Sequence, residues 1–297
     1  MSPADSHENR KRGIFWMLAT MFCFIALDAI MKHLLESYSL VQVTWGRFFF
    51  ATIIAALVCG QSLGRLAKSS APGKQALRSV LLMSTTGVFN AGIRTTPLAT
   101  ATTIMFLSPI LVTLLSIPLL GEKVGIRRWA GIIVGFTGAV IVVQPWQGGF
   151  SGIGLGVLFL LFASLLNANY QIITRMVRDD DPLTSLLFTA TAGALVTSLM
   201  VPWFWTWPSA FDWMLLIASG LAGALGHLCL IRALRLAPAS VVAPFSYSSL
   251  IWATLFGFVI WNDWPDFWTW IGATLIIGSG LYIFHRERRH ISIAVEA

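Results

Sequence analysis

PLATATTIMFLSPILVTLLSIPLLGEKVGIRRWAGIIVGFTGAVIVV, residues 97–143, decides the fold. It holds two apolar runs of roughly 20 residues, the length needed to cross a ~30 Å hydrocarbon layer. A short link carrying Glu122, Lys123, Arg127 and Arg128 separates them. Working outward, the whole chain of 297 residues is built this way, being 56% hydrophobic and 11% charged. A water-soluble domain cannot hide that much apolar surface, whereas lipid-facing residues can be as apolar as a core. The sequence therefore predicts an all-α integral membrane protein.

Apolar segments fall near 14–34, 41–60, 77–95, 98–119, 125–144, 153–174, 183–203, 212–234, 238–260 and 267–285. Gly64, Pro72-Gly73, Pro97, Gly121, Pro145, Gly148-Gly149, Pro182, Pro208, Pro238 and Pro265 mark the boundaries. Basic residues occupy every second gap. They are Arg10, Lys11 and Arg12, then Arg65, Lys68, Lys74 and Arg78, then Lys123, Arg127 and Arg128. Arg175 and Arg178, Arg232 and Arg235, and Arg286, Arg288 and Arg289 continue the series. Only Lys32, Arg47 and Arg94 of the 20 Lys and Arg stand apart, within spans or at their ends. The positive-inside rule then predicts ten transmembrane helices with both termini cytoplasmic. The net charge of +7 is a topological signal, and nucleic acid is not an expected partner. The first apolar run is too long for a signal peptide and is read as a retained helix.

The chain also repeats. A shift of 141 residues lays Arg94 and Pro97 on Arg235 and Pro238, Ser108 on Ser249, Thr113 on Thr254, Glu122 on Asp263, Trp129 on Trp270 and Gly131 on Gly272. A shift of 139 lays Leu27-Asp28-Ala29 on Leu166-Asn167-Ala168. Five spans per half is an odd number, so the halves must be inverted, an architecture typical of transporters. The expected division is a cytoplasmic tail 1–12, repeats 13–145 and 152–286, and a tail 287–297.

The quoted stretch, its echo APASVVAPFSYSSLIWATLFGFVIWNDWPDFWTWIGATLIIGSGL at 237–281, and QVTWGRFFFATIIAAL at 42–57 resemble the EamA-type drug/metabolite transporter superfamily. The likeness covers almost all of residues 13–286. It is nearest to the ten-helix branch that holds bacterial S-adenosylmethionine and riboflavin uptake carriers. The resemblance implies a pseudo-symmetric bundle in which helices 3, 4, 8 and 9 surround a central cavity, joined by 1, 2, 6 and 7. It also implies a secondary transporter of a small organic metabolite in a bacterial cytoplasmic membrane, covering importers and exporters alike.

Charges inside spans are costly and are functional candidates by default. Asp28 and Lys32 share a face of span 1, Arg47 lies in the outer half of span 2, and Arg94 lies near the outer end of span 3. They are expected to cluster on the extracellular side. Such a cluster is either an anion-attracting gate or an ion network holding spans 1 to 3. Asn167, Tyr170 and Gln171 share a face of span 6 that must look into the bundle. Phe106 in span 4, and Phe245, Tyr247, Ser249 and Trp252 in span 9, offer aromatic faces and hydroxyls. Such a pocket suits a flat polar heterocycle, and riboflavin is the named candidate. Trp45 and Trp252 are the candidate ligand tryptophans; most of the others lie near span ends as interfacial anchors. His227 and Asp28 are the candidates for proton coupling. Each of these residues also has a packing role open to it.

Other chemistry finds little support. Cys23, Cys59 and Cys229 lack metal spacing, and no metal or cofactor is expected. Gly152-x-Gly154-x-Gly156 has no preceding strand, Asp179-Asp180-Asp181 has no second acidic motif, and no Walker A sequence occurs. A lipid-modifying membrane enzyme would need a nucleophile, metal cluster or paired acids at one face, and the sequence shows none. Oligomeric state, monomer or dimer, is left open.

Overall fold

The computed structural model describes residues 3–62, 64, 69–120, 125–144, 146, 154–177 and 180–296, and all regular structure among them is helical. Arg65, Lys68, Gly121, Glu122, Lys123, Pro145, Gly148, Gly149, Gly152, Arg178 and Asp179 lie outside the described residues. Helix α1 runs Pro3–Leu34 and α2 Leu40–Cys59, the latter capped by the Ser39 hydroxyl, which accepts from the Gln42 amide. Helix α3 is Pro72–Ile93, opening on a proline whose missing N–H is harmless in the first turn. Helix α4 comes in two pieces, Leu98–Met105 and Leu107–Leu120. Pro109 explains the break: it offers no N–H to the Met105 carbonyl and its ring crowds that group. The Phe106 N–H at the joint is shared between the Thr102 and Thr103 carbonyls.

Helix α5 is Ile126–Val143, stopped by Gln144 at φ 51°, and α6 is Leu155–Met176. Helix α7, Pro182–Met200, is capped by Asp181 and runs into a 3₁₀ turn, Val201–Phe204. Helix α8, Ala210–Leu236, is capped by Ser209. Helix α9 opens irregularly, with Ala239–Val242 and a 3₁₀ stretch Ala243–Ser248 around Pro244, before Ser249–Trp261. Asn262 ends it at φ 56°, and α10 is Phe267–Glu296.

By length and composition seven of these segments can cross a membrane: α1, α2, α4, α6, α7, α8 and α9. Helices α5 and α10 contribute shorter apolar stretches, Trp129–Val143 and Phe267–Ile283. Helix α3 falls short in hydropathy because its buried face carries Gln75, Arg78, Ser79, Thr85, Thr86 and Asn90. That polar face has to be covered by other helices, since hydrocarbon offers it no partner. Large apolar side chains such as Leu57, Leu199 and Val259 instead stand exposed around the outside.

The helix partners come in matched sets. Helix α1 packs along α8 as α6 packs along α3; α2 meets α8 as α7 meets α3; α1 meets α9 as α6 meets α4. The pairs α2 with α7, α4 with α9 and α5 with α10 map onto themselves when the halves are exchanged. Phe106 and Tyr247, equivalent under the 141-residue shift, touch edge to face with ring centroids 5.0 Å apart. Glycines permit the closest approach. A Cβ on Gly138 would lie 2.8 Å from the Gly272 carbonyl oxygen, and one on Gly272 would lie 2.6 Å from that of Gly138. Backbone cannot yield as a flexible side chain can, so Gly138→Leu should force α5 and α10 apart. The expected cost is about 1–3 kcal/mol or more, read as lower thermal stability and a smaller monodisperse fraction of detergent-purified protein.

Candidate functional site

The polar face of α3 delivers Arg78 into the bundle, where the residue is 5% exposed. Its Nε donates to Thr174 Oγ1 (2.9 Å), and Nη2 to the Tyr170 hydroxyl (2.6 Å), both on α6. Nη1 donates to the Ser185 carbonyl (3.0 Å) and to Thr189 Oγ1 (2.7 Å), both on α7. Four of the five N–H donors are thereby used on neutral oxygens. The charge is solvated without being neutralised. Arg78 read in sequence as a topogenic charge beside a span; the neighbouring Gln75, Ser79 and Thr86, which give α3 a polar face, were the available hint.

Beside it lies a narrow cleft between α2, α3, α7 and α8, with a cavity volume of about 30 Å³. Arg47, Arg78, Ser185, Thr189, Gly223 and His227 are among its walls. His227 Nδ1–H donates to the Gly223 carbonyl (2.9 Å), which fixes the proton on that nitrogen and leaves Nε2 free as an acceptor. Its ring packs edge to face on Phe24 of α1. Arg47 is half-buried, lies 5.5 Å over the Phe48 ring and makes no hydrogen bond to a described residue. Its charge is felt by Asp28 on α1 and by His227 on α8.

The expected outer cluster of four does not assemble as such. Lys32 Nζ bonds the Thr96 carbonyl (3.0 Å) and Asp263 (3.3 Å) and lies 4.8 Å over the Trp261 ring. Thr96 and Asp263 sit in the α3–α4 and α9–α10 links, and Trp261 ends α9. Arg94 is exposed at the end of α3. Arg47 lines the cleft, and Asp28 is half-buried on α1.

The other candidates divide. Trp45 donates to Ser198 Oγ (2.9 Å) and stacks on Phe49, and so belongs to an aromatic cluster with Trp205 and Phe50. Tyr170 is committed to Arg78, while Asn167 and Gln171 are half-buried and unbonded to described residues. Ser249 is closed on the Ser246 carbonyl, and Phe245 packs beside Met17 and Val242. Trp252 lies against Phe22 with its Nε1–H buried and unpaired. Among the described residues no three His, Cys, Asp or Glu side chains converge as for a metal ion.

Polar clasps close both ends. At one end Gln42 exchanges two bonds with Thr206 (2.7 and 2.9 Å), and Tyr38 donates to Asp212 (2.7 Å). At the other, the Asp180 carboxylate accepts from Gln75 Nε2 (2.8 Å), Ser69 Oγ (2.5 Å), and the amide and hydroxyl of Ser70 (2.9 and 2.7 Å). The Gln75 side chain first, then these serine donors, hold the Asp180 carboxyl below the usual carboxylate range.

Both halves of the chain match one family: the EamA-like transporter family aligns with residues 11–144 and again with 154–284. The chain belongs to that family. Its relatives in the EamA-like family include an S-adenosylmethionine uptake transporter of Rickettsia prowazekii (strain Madrid E), 28% identical over 97% of both chains. A riboflavin transporter of Rhizobium johnstonii is 28% identical over 93% of this chain and 92% of its own. A pseudopaline exporter of Pseudomonas aeruginosa is 23% identical over 90% of this chain and 94% of its own. A solved crystal structure shares the fold, with a TM-score of 0.61 at 18% identity over 89% of this chain and 96% of that one.

Asp180→Ala should raise labelling of Leu82→Cys, in the cleft wall, by a charged thiol reagent in a cysteine-free background. Because the Asp180 pKa is depressed, its clasp is present above the ordinary carboxylate pKa and is lost only as pH falls through the lower folded value. Labelling of Leu82→Cys alone should therefore stay flat through the ordinary carboxylate range. At the other end, Lys32→Glu and Asp263→Lys should each lower transport, and the double swap should restore part of it, by roughly 0.5–3 kcal/mol of coupling.

Proposed function

We propose that this chain is a secondary carrier in a cytoplasmic membrane, importing S-adenosylmethionine or a compound closely like it. The observation that carries the reading is the convergence of Arg47, Arg78 and His227, from three helices, around one cleft in a chain that matches uptake carriers end to end. Neutral flavin would have no use for that many charges, whereas a substrate bearing a carboxylate and cationic centres would.

In this reading ten helices cross the membrane as two inverted repeats, 13–145 and 152–286, with both termini in the cytoplasm. The matched helix partners and the alternation of basic residues support it. The clasp around Gln42 and Tyr38 and the bridge from Lys32 to Asp263 then face outward, and the Asp180 clasp faces the cytoplasm. Alternating access opens one set while the other holds, with the breaks in α4 and α9 as the flexible joints. His227, whose Nε2 is unbonded to a described residue, is the proton-coupling candidate of this reading, with the Arg47 and Arg78 charges in the same cleft opposing its protonation. No covalent step is required of any residue.

A second reading is riboflavin uptake, which the edge-to-face Phe106–Tyr247 pair and the unpaired Nε1–H of Trp252 favour. Uptake of labelled S-adenosylmethionine by cells lacking a carrier for it, with and without this chain, separates the two. Saturable uptake displaced by unlabelled substrate and untouched by riboflavin is expected. Flavin uptake alone would move the substrate to the aromatic pair.

A further inference from the structure

We infer that Arg47 and Arg78 hold the substrate's carboxylate between them, Arg47 through paired N–H bonds and Arg78 as a fixed positive wall. The inference deepens the carrier reading above and rests on it for the remainder of the substrate.

Both residues line one cleft, Arg47 from α2 and Arg78 from α3, and among the described residues that line it there is no Asp or Glu. The acceptors around Arg78 are all neutral, so its charge is not cancelled, and one Nη2–H remains after its four bonds. Arg47 rests 5.5 Å over the Phe48 ring and makes no hydrogen bond to a described residue, which leaves its donors open. Asp28 on α1 lies in the field of Arg47 but is not a lining residue, and one carboxylate offsets only one of two guanidiniums. A positive charge is therefore left over in a cleft whose other walls include Phe48, Leu82 and Leu186. Apolar walls of that kind focus the field on whatever enters.

The walls also select the ligand. His227 has its Nδ1–H turned to the Gly223 carbonyl, so in this tautomer the ring offers an anion no donor. The Thr189 hydroxyl is spent, accepting from Arg78 and donating to the Ser185 carbonyl (2.9 Å). The two arginines carry the anion alone. A cavity of about 30 Å³ has room for roughly two water molecules, which the two oxygens of a carboxylate replace, and none for a ring system. A carboxylate is also planar and meets a guanidinium with two parallel bonds. The 141-residue shift lays Arg47 on Phe188 and Arg78 on Ser219, so the other half of the chain holds no second copy. One carboxylate per carrier is the consequence.

The test is displacement of labelled S-adenosylmethionine from the purified full chain in lipid nanodiscs, with unlabelled S-adenosylmethionine and its decarboxylated form as competitors. The decarboxylated compound should compete at least about tenfold less well, since hydrogen bonds to a charged group are the strong ones. Arg47→Gln should bring the two compounds close to equality, and a preference that survives in the folded variant overturns the assignment to Arg47. Equal competition on the unaltered chain overturns the inference, even where the variant fails to fold. If no adenosyl compound binds, the substrate reading fails by itself, and labelling of Leu82→Cys in the cysteine-free chain decides the inference. A sulfonate-bearing thiol reagent should then react roughly tenfold faster than an ammonium-bearing one, each rate divided by its rate on a free thiol. Acetate should slow the sulfonate reagent more than chloride does at equal ionic strength. Equal rates for the two reagents, or slowing by acetate no greater than by chloride, overturns the inference.

Discussion

A guanidinium buried among neutral oxygens, Arg78 against Tyr170, Thr174, Ser185 and Thr189, fixes how α3, α6 and α7 meet. Hydrocarbon gives a polar group nothing to bond, so the polar face of α3 must turn into the bundle. Once there, Arg78 needs acceptors on more than one side, and its planar fork dictates where they stand. Two come from α6 and two from α7. The α3–α6 contact that results is the partner of the α1–α8 contact in the other half of the set. Because the oxygens around Arg78 are neutral, its charge persists into the adjoining cleft. The same bonds that assemble the helices thus set the sign of the field a substrate meets.

The two halves share a shape and differ in chemistry. Lys32 spans from α1 to the α3–α4 link, the α9–α10 link and the end of α9 through a carbonyl, an ion pair and an aromatic face. Its counterpart under the repeat is Gln171, which can offer no such charge. At the opposite end the main clasp is a single carboxylate, Asp180, gathering donors from the start of α3. Gates built from unlike bonds differ in what it takes to open them. A symmetric fold can therefore favour one direction of opening without any departure from its architecture.

The helical membrane fold and its repeat were legible because they rest on patterns spread along the whole chain: apolar length, the register of the repeat and proline positions. The central site was less so. Arg78 lies near the end of a weakly apolar segment, where a basic residue reads as a topogenic charge, and only the partners on α6 and α7 reveal its depth. Lys32 and Asp28 share a helix face at i, i+4, which suggested pairing. Lys32 instead reaches toward Asp263, 231 residues away in sequence, a contact that local spacing cannot announce. Trp45, an attractive ligand contact by type, is tied to Ser198 by a bond across to α7.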